Sequence, residues 1–244
     1  MKKYYYDLHI HSCLSPCGDD DSTPDSIAGM GELNGLDIMA LTDHNTCKNC
    51  PAFFEAAKRH NILPVAGMEL TTSEDIHMVC LFPDLKSAMA FSDEIENRLF
   101  KIPNRTDIFG NQLVCDSEDN VTENAEFLLS NATSVSLDEA PSLVERFGGI
   151  CYPAHIDRES NGVIAVLGVF PETPKFYCAE LHNGEKIQDY SDLIGFNPQR
   201  FVVSSDAHYL WDIKEPNEFF MMEEIPDGAD NVGEYVINYL KEQL

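Results

Sequence analysis

Tyr4-Tyr5-Tyr6-Asp7-Leu8-His9-Ile10-His11 is the stretch on which the reading of this chain turns. Residues 4–10 are apolar and aromatic, the side chains that suit a pleated surface, and they predict a strand. Side chains at i and i+2 of a strand point to one face, so His9 and His11 stand side by side. Neutral imidazole is the commonest metal ligand, and two on one face can share an ion. Five more of the eight histidines lie in short apolar-flanked segments: Thr42-Asp43-His44-Asn45, Ile76-His77-Met78, Pro153-Ala154-His155, Glu180-Leu181-His182 and Ser205-Asp206-Ala207-His208. Only His60, in Lys58-Arg59-His60, sits in a charged stretch.

Working outward, the first third alternates between strand and helix patterns. Thr23–Asn34 predicts a helix, with Thr-Pro at its start. Asp37–Thr42 reads as a strand and Cys50–His60 as an amphipathic helix with Phe53, Phe54 and Ala57 at helical spacing. Ile62–Glu69 and Ile76–Phe82 read as further strands. Strand–helix–strand at this spacing predicts parallel βαβ units. Leu85–Leu99 reads as a helix. Residues 103–133 read as an insertion with a hairpin or loop and a short helix near 122–129. A helix over Leu137–Phe147 ends at Gly148-Gly149. Three strands follow: Gly149–Ala154 delivers His155, Lys175–Leu181 delivers Glu180 and His182, and Arg200–Ser205 delivers Asp206 and His208. The tail Asn231–Leu244 reads as a helix. No internal repeat or low-complexity linker interrupts the chain, so a single domain over 1–244 with an insertion near 100–135 is expected.

Acidic residues complete the ligand pattern. Glu69 ends the strand Ile62–Glu69, and burying its carboxylate is costly unless it is paired or metal-bound. A carboxylate can bridge two ions, so Glu69 is the expected bridge. Asp206 and His208 repeat the i, i+2 spacing of His9 and His11. Ligands scattered over successive strand ends are how a barrel enzyme assembles a site.

Composition sets bounds. The 244 residues carry 16 Lys and Arg against 42 Asp and Glu, a formal net charge of −26. That balance argues against long nucleic acid gripped by a basic track. No apolar run is long enough for a membrane span, and no signal-peptide pattern opens the chain, so a cytoplasmic location and no membrane partner are expected. The eight cysteines then read as thiols rather than bridges. Oligomeric state is not legible.

Together Asp7-x-His9-x-His11, Thr42-Asp43-His44, Gly67-x-Glu69, His77, Pro153-Ala154-His155 and Ser205-Asp206-Ala207-His208 resemble the polymerase and histidinol phosphatase (PHP) superfamily. The motifs cover nearly the whole chain in that family's order. The resemblance implies a distorted (β/α)7 TIM-like barrel with two or three divalent ions, zinc, iron or manganese, at the C-terminal strand ends. It implies hydrolysis of a phosphate ester, a small phosphomonoester first, by a metal-bound hydroxide. Carried over motif by motif, it gives His9, His11, Glu69 and Asp206 as one site. Glu69, His77 and His155 form a second, and His44 and His208 a third. The third is completed by Asp19 or by Cys17, Asp19 being favoured because manganese and iron prefer oxygen and nitrogen donors. Asp7 and Asp43 are expected to orient neighbouring ligands.

The catalytic set is then Glu69, Asp206, His44 and His208, with His44 or His208 protonating the leaving group. Arg158 is the expected phosphate-binding cation, ahead of Lys48 and Arg105, because guanidinium matches phosphate oxygens bidentately. Its alternative is a surface pair with Asp157 or Glu159. His182 lines the pocket or is a satisfied core histidine. Two other functions compete: a nuclease or phosphodiesterase on short oligonucleotides, and a non-catalytic metal- or redox-sensing module. Cys13, Cys17, Cys47 and Cys50 motivate the latter, since both thiol pairs are expected on neighbouring rim loops.

Overall fold

The computed structural model describes residues 1–226 and 228–242. Among the described residues ten strands are present: β1 (Lys2–Ile10), β2 (Ile38–Leu41), β3 (Leu63–Thr71), β4 (His77–Phe82), β5 (Leu113–Cys115), β6 (Val121–Asn124), β7 (Ile150–Pro153), β8 (Ala179–Leu181), β9 (Phe201–Val203) and β10 (Phe219–Met222). Eight helices accompany them: α1 (Pro24–Asn34), α2 (Cys50–Arg59), α3 (Leu85–Glu96), α4 (Thr106–Phe109), α5 (Ala140–Glu145), α6 (Val163–Leu167), α7 (Ile187–Ile194) and α8 (Val232–Glu242).

A curled six-stranded sheet in the order β10-β1-β2-β3-β4-β7 carries the fold, with β8 and β9 paired in parallel beside it. Two backbone bonds tie that pair to the sheet: Ile156 N–H donates to Glu180 O at 2.9 Å, and His11 N–H donates to Ala207 O at 2.9 Å.

The strands have two apolar faces. On one, Met39, Leu41, Ala66, Met68, Met78 and Cys80 pack under the helices, including Phe53, Ala56 and Ala57 of α2 and Phe91 of α3. On the other, Tyr4, Tyr6, Leu8, Ile38, Ala40, Val65, Val79, Leu81, Ile150 and Tyr152 form a second core, into which α8 lays Val232, Val236, Ile237 and Leu240. Alternate residues of each strand divide between the faces, as period-2 geometry requires. Helix α1 begins at Pro24 and stops at Gly35, whose φ of 80° lets its amide and that of Leu36 reach back to Glu32 O and Gly31 O.

Several expectations are corrected. The strands are not uniformly parallel: β3 and β4 pair antiparallel, as do β4 and β7, and β10 lies antiparallel on the start of β1. The link from Thr71 to His77 is far too short for a helical crossover and makes a hairpin instead. His77 therefore stands at the N-terminal start of β4, level with the C-terminal end of β3. The expected helix near 122–129 is absent: Val121–Asn124 is a strand paired antiparallel with Leu113–Cys115. Two more expected elements are shorter than read, α5 starting at Ala140 and β8 at Ala179. Of the expected C-terminal helix, residues 243–244 lie outside the described residues. No helix among the described residues is long and apolar enough to cross a membrane.

Candidate metal centre

The inner face of the strands, apolar below, becomes polar at one end. Glu69 continues the inward series of Val65, His77 that of Val79 and Leu81, Glu180 that of Cys178, and Asp206 that of Val202. In β1 the inward series runs Tyr4, Tyr6, Leu8, which would turn His9 and His11 away. An irregularity corrects this: Asp7 pairs with Met39 but Ile10 with Leu41, one extra residue on the β1 side. Beyond that bulge Ile10 packs under the helices and both imidazoles face inward.

Glu69 is the hub. Its Oε1 lies 2.8 Å from His77 Nδ1, 3.1 Å from His155 Nε2 and 3.4 Å from His9 Nε2; its Oε2 lies 3.0 Å from His44 Nδ1 and 3.3 Å from His11 Nε2. Asp206 faces it, with Oδ1 3.2 Å from His11 Nε2 and 3.4 Å from His9 Nε2. His208 stacks on His11 with ring centroids 4.3 Å apart. Among the described residues, three groups place their donor atoms close enough for one ion each: His9, His11, Glu69 and Asp206; His44, Glu69 and His77; and His11, His44 and His208. The second differs from the sequence grouping by bringing in His44, while His155 reaches the same Glu69 oxygen as His77.

Neighbouring groups fix which nitrogen each ring offers. His9 Nδ1 lies 2.8 Å from buried Glu180, so that nitrogen carries the proton and Nε2 keeps a free lone pair. Glu180 also accepts from the His155 amide at 3.1 Å. His11 Nδ1 meets Ser15 Oγ at 2.8 Å, and Ser15 Oγ donates to Asp43 at 2.7 Å, so His11 likewise presents Nε2. Asp43 further accepts from the Ser12 amide and hydroxyl, both at 2.7 Å. Asp7 accepts from the Ser205 amide at 3.0 Å, holding the segment before Asp206. His208 Nδ1 lies 2.9 Å from Asp206 O.

The arrangement fits cations. His9 Nε2 and His11 Nε2 stand 3.2 Å apart, so two lone pairs confront each other and a carboxylate without a shared positive charge. Asp206 Oδ1 and the Nδ1 atoms of His44 and His155 are buried without a hydrogen-bond partner. Burial alone would lower His11, yet Asp206 and Glu69 overcome it and push the ring up to about 9. Burial would raise Glu69, but His77, His9 and His44 hold it well below the ordinary carboxylate range. His155 and Asp206 take left-handed backbone angles, φ 27° and 50°, a strain of roughly 1 kcal/mol or more each that the surrounding cluster sustains.

The remaining sequence-derived residues separate. Burial drives His44 down to about 4 and His208 to about 3. Both shifts favour the neutral form of the ring, which is the form that can donate a lone pair to an ion. Arg158 Nη1 meets Asp206 Oδ2 at 2.5 Å, so it belongs to the site and not to a pair with Asp157 or Glu159. Lys48 and Arg105 pair instead with Glu123 and Asp107. His182 is half-buried outside the cluster, its amide donating to Asp157 and its burial lowering the ring's pKa. It lines a separate cavity of 610 Å³ beside Asp7, Ser204 and Lys214. Cys17 Sγ lies 3.2 Å from His44 Nε2, whereas Asp19 turns its carboxylate to the Asp21 amide. Cys47 and Cys50 do not face Cys13 and Cys17 at the rim: they are core thiols on Gly67 O, and Cys13 meets Cys115 at 3.6 Å. Sequence reasoning gave Glu180 no role. The signal was an acidic residue in an apolar strand, two before a histidine that drew the attention.

Hydrolases that gather histidines and carboxylates around shared ions are the class this geometry defines. A family model for the PHP domain matches residues 7–160, and the chain belongs to that family of metal-dependent hydrolases. It is 35% identical over 74 residues to an error-prone DNA polymerase of Symbiobacterium thermophilum, a match covering 30% of this chain and 7% of the polymerase. In structure it resembles a lesion-specific endonuclease from Pyrococcus furiosus, with TM-score 0.64 and 16% identity over 99% of this chain and 56% of that one. It also resembles a Bifidobacterium adolescentis protein described as a metal-dependent phosphoesterase, with TM-score 0.58 and 17% identity over 95% of both chains.

Proposed function

We propose that this chain hydrolyses small phosphomonoesters at an ion cluster centred on Glu69, on a distorted (β/α)7 barrel. The backbone bonds that join β7 to β8 and β9 to β1 support the barrel. The observation that carries the chemistry is Glu69 itself: one buried carboxylate within 3.4 Å of five imidazoles, an arrangement suited to bridging ions.

His9, His11, Glu69 and Asp206 would hold one ion. Glu69, His77 and His155, with His44 at its edge, would hold a second, and His44 and His208 face a third position. Divalent ions bound there supply Lewis acidity toward a phosphoryl oxygen and make water nucleophilic near neutral pH. The protein's own work is positioning. Glu180 and the Ser15–Asp43 pair keep His9 and His11 in one tautomer. Arg158 holds Asp206 and, 36% exposed, presents its remaining N–H donors to solvent, where a phosphate oxygen can take them. With 42 acidic against 16 basic residues, nothing in the composition favours a long polyanion. Incubation of metal-restored protein with a panel of phosphomonoesters and short oligonucleotides tests the reading. Monoester turnover is the expected result; cleavage of oligonucleotides alone would transfer the assignment to a phosphodiesterase.

A further inference from the structure

We propose that Cys17 is a thiolate ligand of the ion position faced by His44 and His208, so that this chain's cluster carries one soft, zinc-selecting donor. The inference rests on the reading that the cluster holds ions, and it concerns which residue closes its outermost position.

Cys17 Sγ stands 3.2 Å from His44 Nε2. Zinc bonds of about 2.3 Å to sulfur and 2.0–2.1 Å to nitrogen put tetrahedral co-ligands about 3.5 Å apart, so this spacing suits two donors to one ion. The tautomers agree. His44 Nδ1 points at Glu69 Oε2, 3.0 Å away, and His208 Nδ1 at Asp206 O. A proton on His208 Nδ1 leaves its Nε2 as a free donor, and His44 turns its Nε2 toward Cys17. His11, His44 and His208 already bring their donor atoms within reach of one ion. Asp19, the oxygen alternative on the same loop, is occupied with the Asp21 amide.

Thiolate favours zinc and cobalt over magnesium and manganese, which prefer oxygen donors. Bound through Cys17, an ion replaces the thiol proton, which passes to solvent; no oxidant or reductant is needed. The competing explanation is a simple S–H···N hydrogen bond to His44, which binds no metal.

The other seven cysteines are buried while Cys17 is exposed, so native alkylation reads Cys17 alone. In metal-stripped protein iodoacetamide should add one group, at Cys17. Stoichiometric zinc should slow that reaction about tenfold, and magnesium should leave it unchanged. Cobalt-loaded protein should show a near-ultraviolet sulfur-to-cobalt charge-transfer band. The band should vanish in Cys17→Ser, with circular dichroism unchanged, and persist in Asp19→Ala. A fully metal-loaded protein whose Cys17 still alkylates freely, or a band surviving Cys17→Ser, overturns the thiolate assignment alone. Protein that binds no divalent ion at all overturns the cluster reading beneath it.

Discussion

Glu180 accepts a hydrogen bond from His9 Nδ1 at 2.8 Å across 171 residues of sequence, and the same oxygen receives the His155 amide at 3.1 Å. One buried carboxylate thus aims two imidazoles, one by its ring and one by its backbone. Outer partners of ligand histidines typically contribute 10–100-fold to metal affinity. Glu180→Gln should therefore weaken binding of the tightest ion roughly 10–100-fold, read by competition with a chelating dye, with little change in secondary structure. Affinity equal to the wild type would remove Glu180 from the site.

Ser15 should matter to stability as much as to chemistry. Its hydroxyl links His11 to Asp43 and also accepts the His44 amide at 3.2 Å. Ser15→Ala leaves a buried carboxylate short of a donor, a cost of about 1–3 kcal/mol, and thermal unfolding should drop by several degrees. Ion binding should weaken with it, since His11 is then free to change tautomer. A melting temperature unchanged in the metal-free protein would contradict the role given to this hydroxyl.

Arg158→Ala should act mainly on KM. Loss of a charged donor to phosphate corresponds to about 1.5–3 kcal/mol, so KM for a monoester should rise tenfold or more while ion content stays constant. Steady-state kinetics on metal-replete protein decide this. An unaltered KM would leave Arg158 as a partner of Asp206 alone.

Substrate length should count against turnover. Long single-stranded DNA meets a surface of net charge −26, whereas a small ester meets chiefly the local field, bulk charges being screened beyond about 8 Å. Monoester hydrolysis should outpace DNA degradation at physiological salt, with the gap narrowing as salt rises. Faster loss of long DNA than of any monoester would reverse the preference.

Much of this site was legible because its residues announce themselves locally. His9-x-His11 and Asp206-x-His208 declare a shared face by spacing, and Glu69 declares itself as an acid among apolar neighbours. What the sequence hid is nonlocal. The bulge between Asp7 and Ile10 decides whether His9 and His11 face inward, yet no glycine or proline marks it. Glu180 acquires its role only through the register that sets β8 beside the ends of β1 and β7. His77 comes level with the end of β3 only because the hairpin from Thr71 makes β4 run antiparallel to it. Cys47 and Cys50 have the spacing of a thiolate site, but both sulfurs turn to Gly67 O in the core. There the packing of α2 on β3, not spacing, decides where the sulfurs point.

The central claim is that Glu69 is shared between ions. Elemental analysis of metal-restored protein, wild type beside Glu69→Ala, tests it most directly. The account predicts at least two divalent ions per wild-type chain and the loss of two, together with hydrolysis, when the shared carboxylate is removed. A Glu69→Ala protein that stays folded and keeps all its ions and its turnover would contradict the account at its centre.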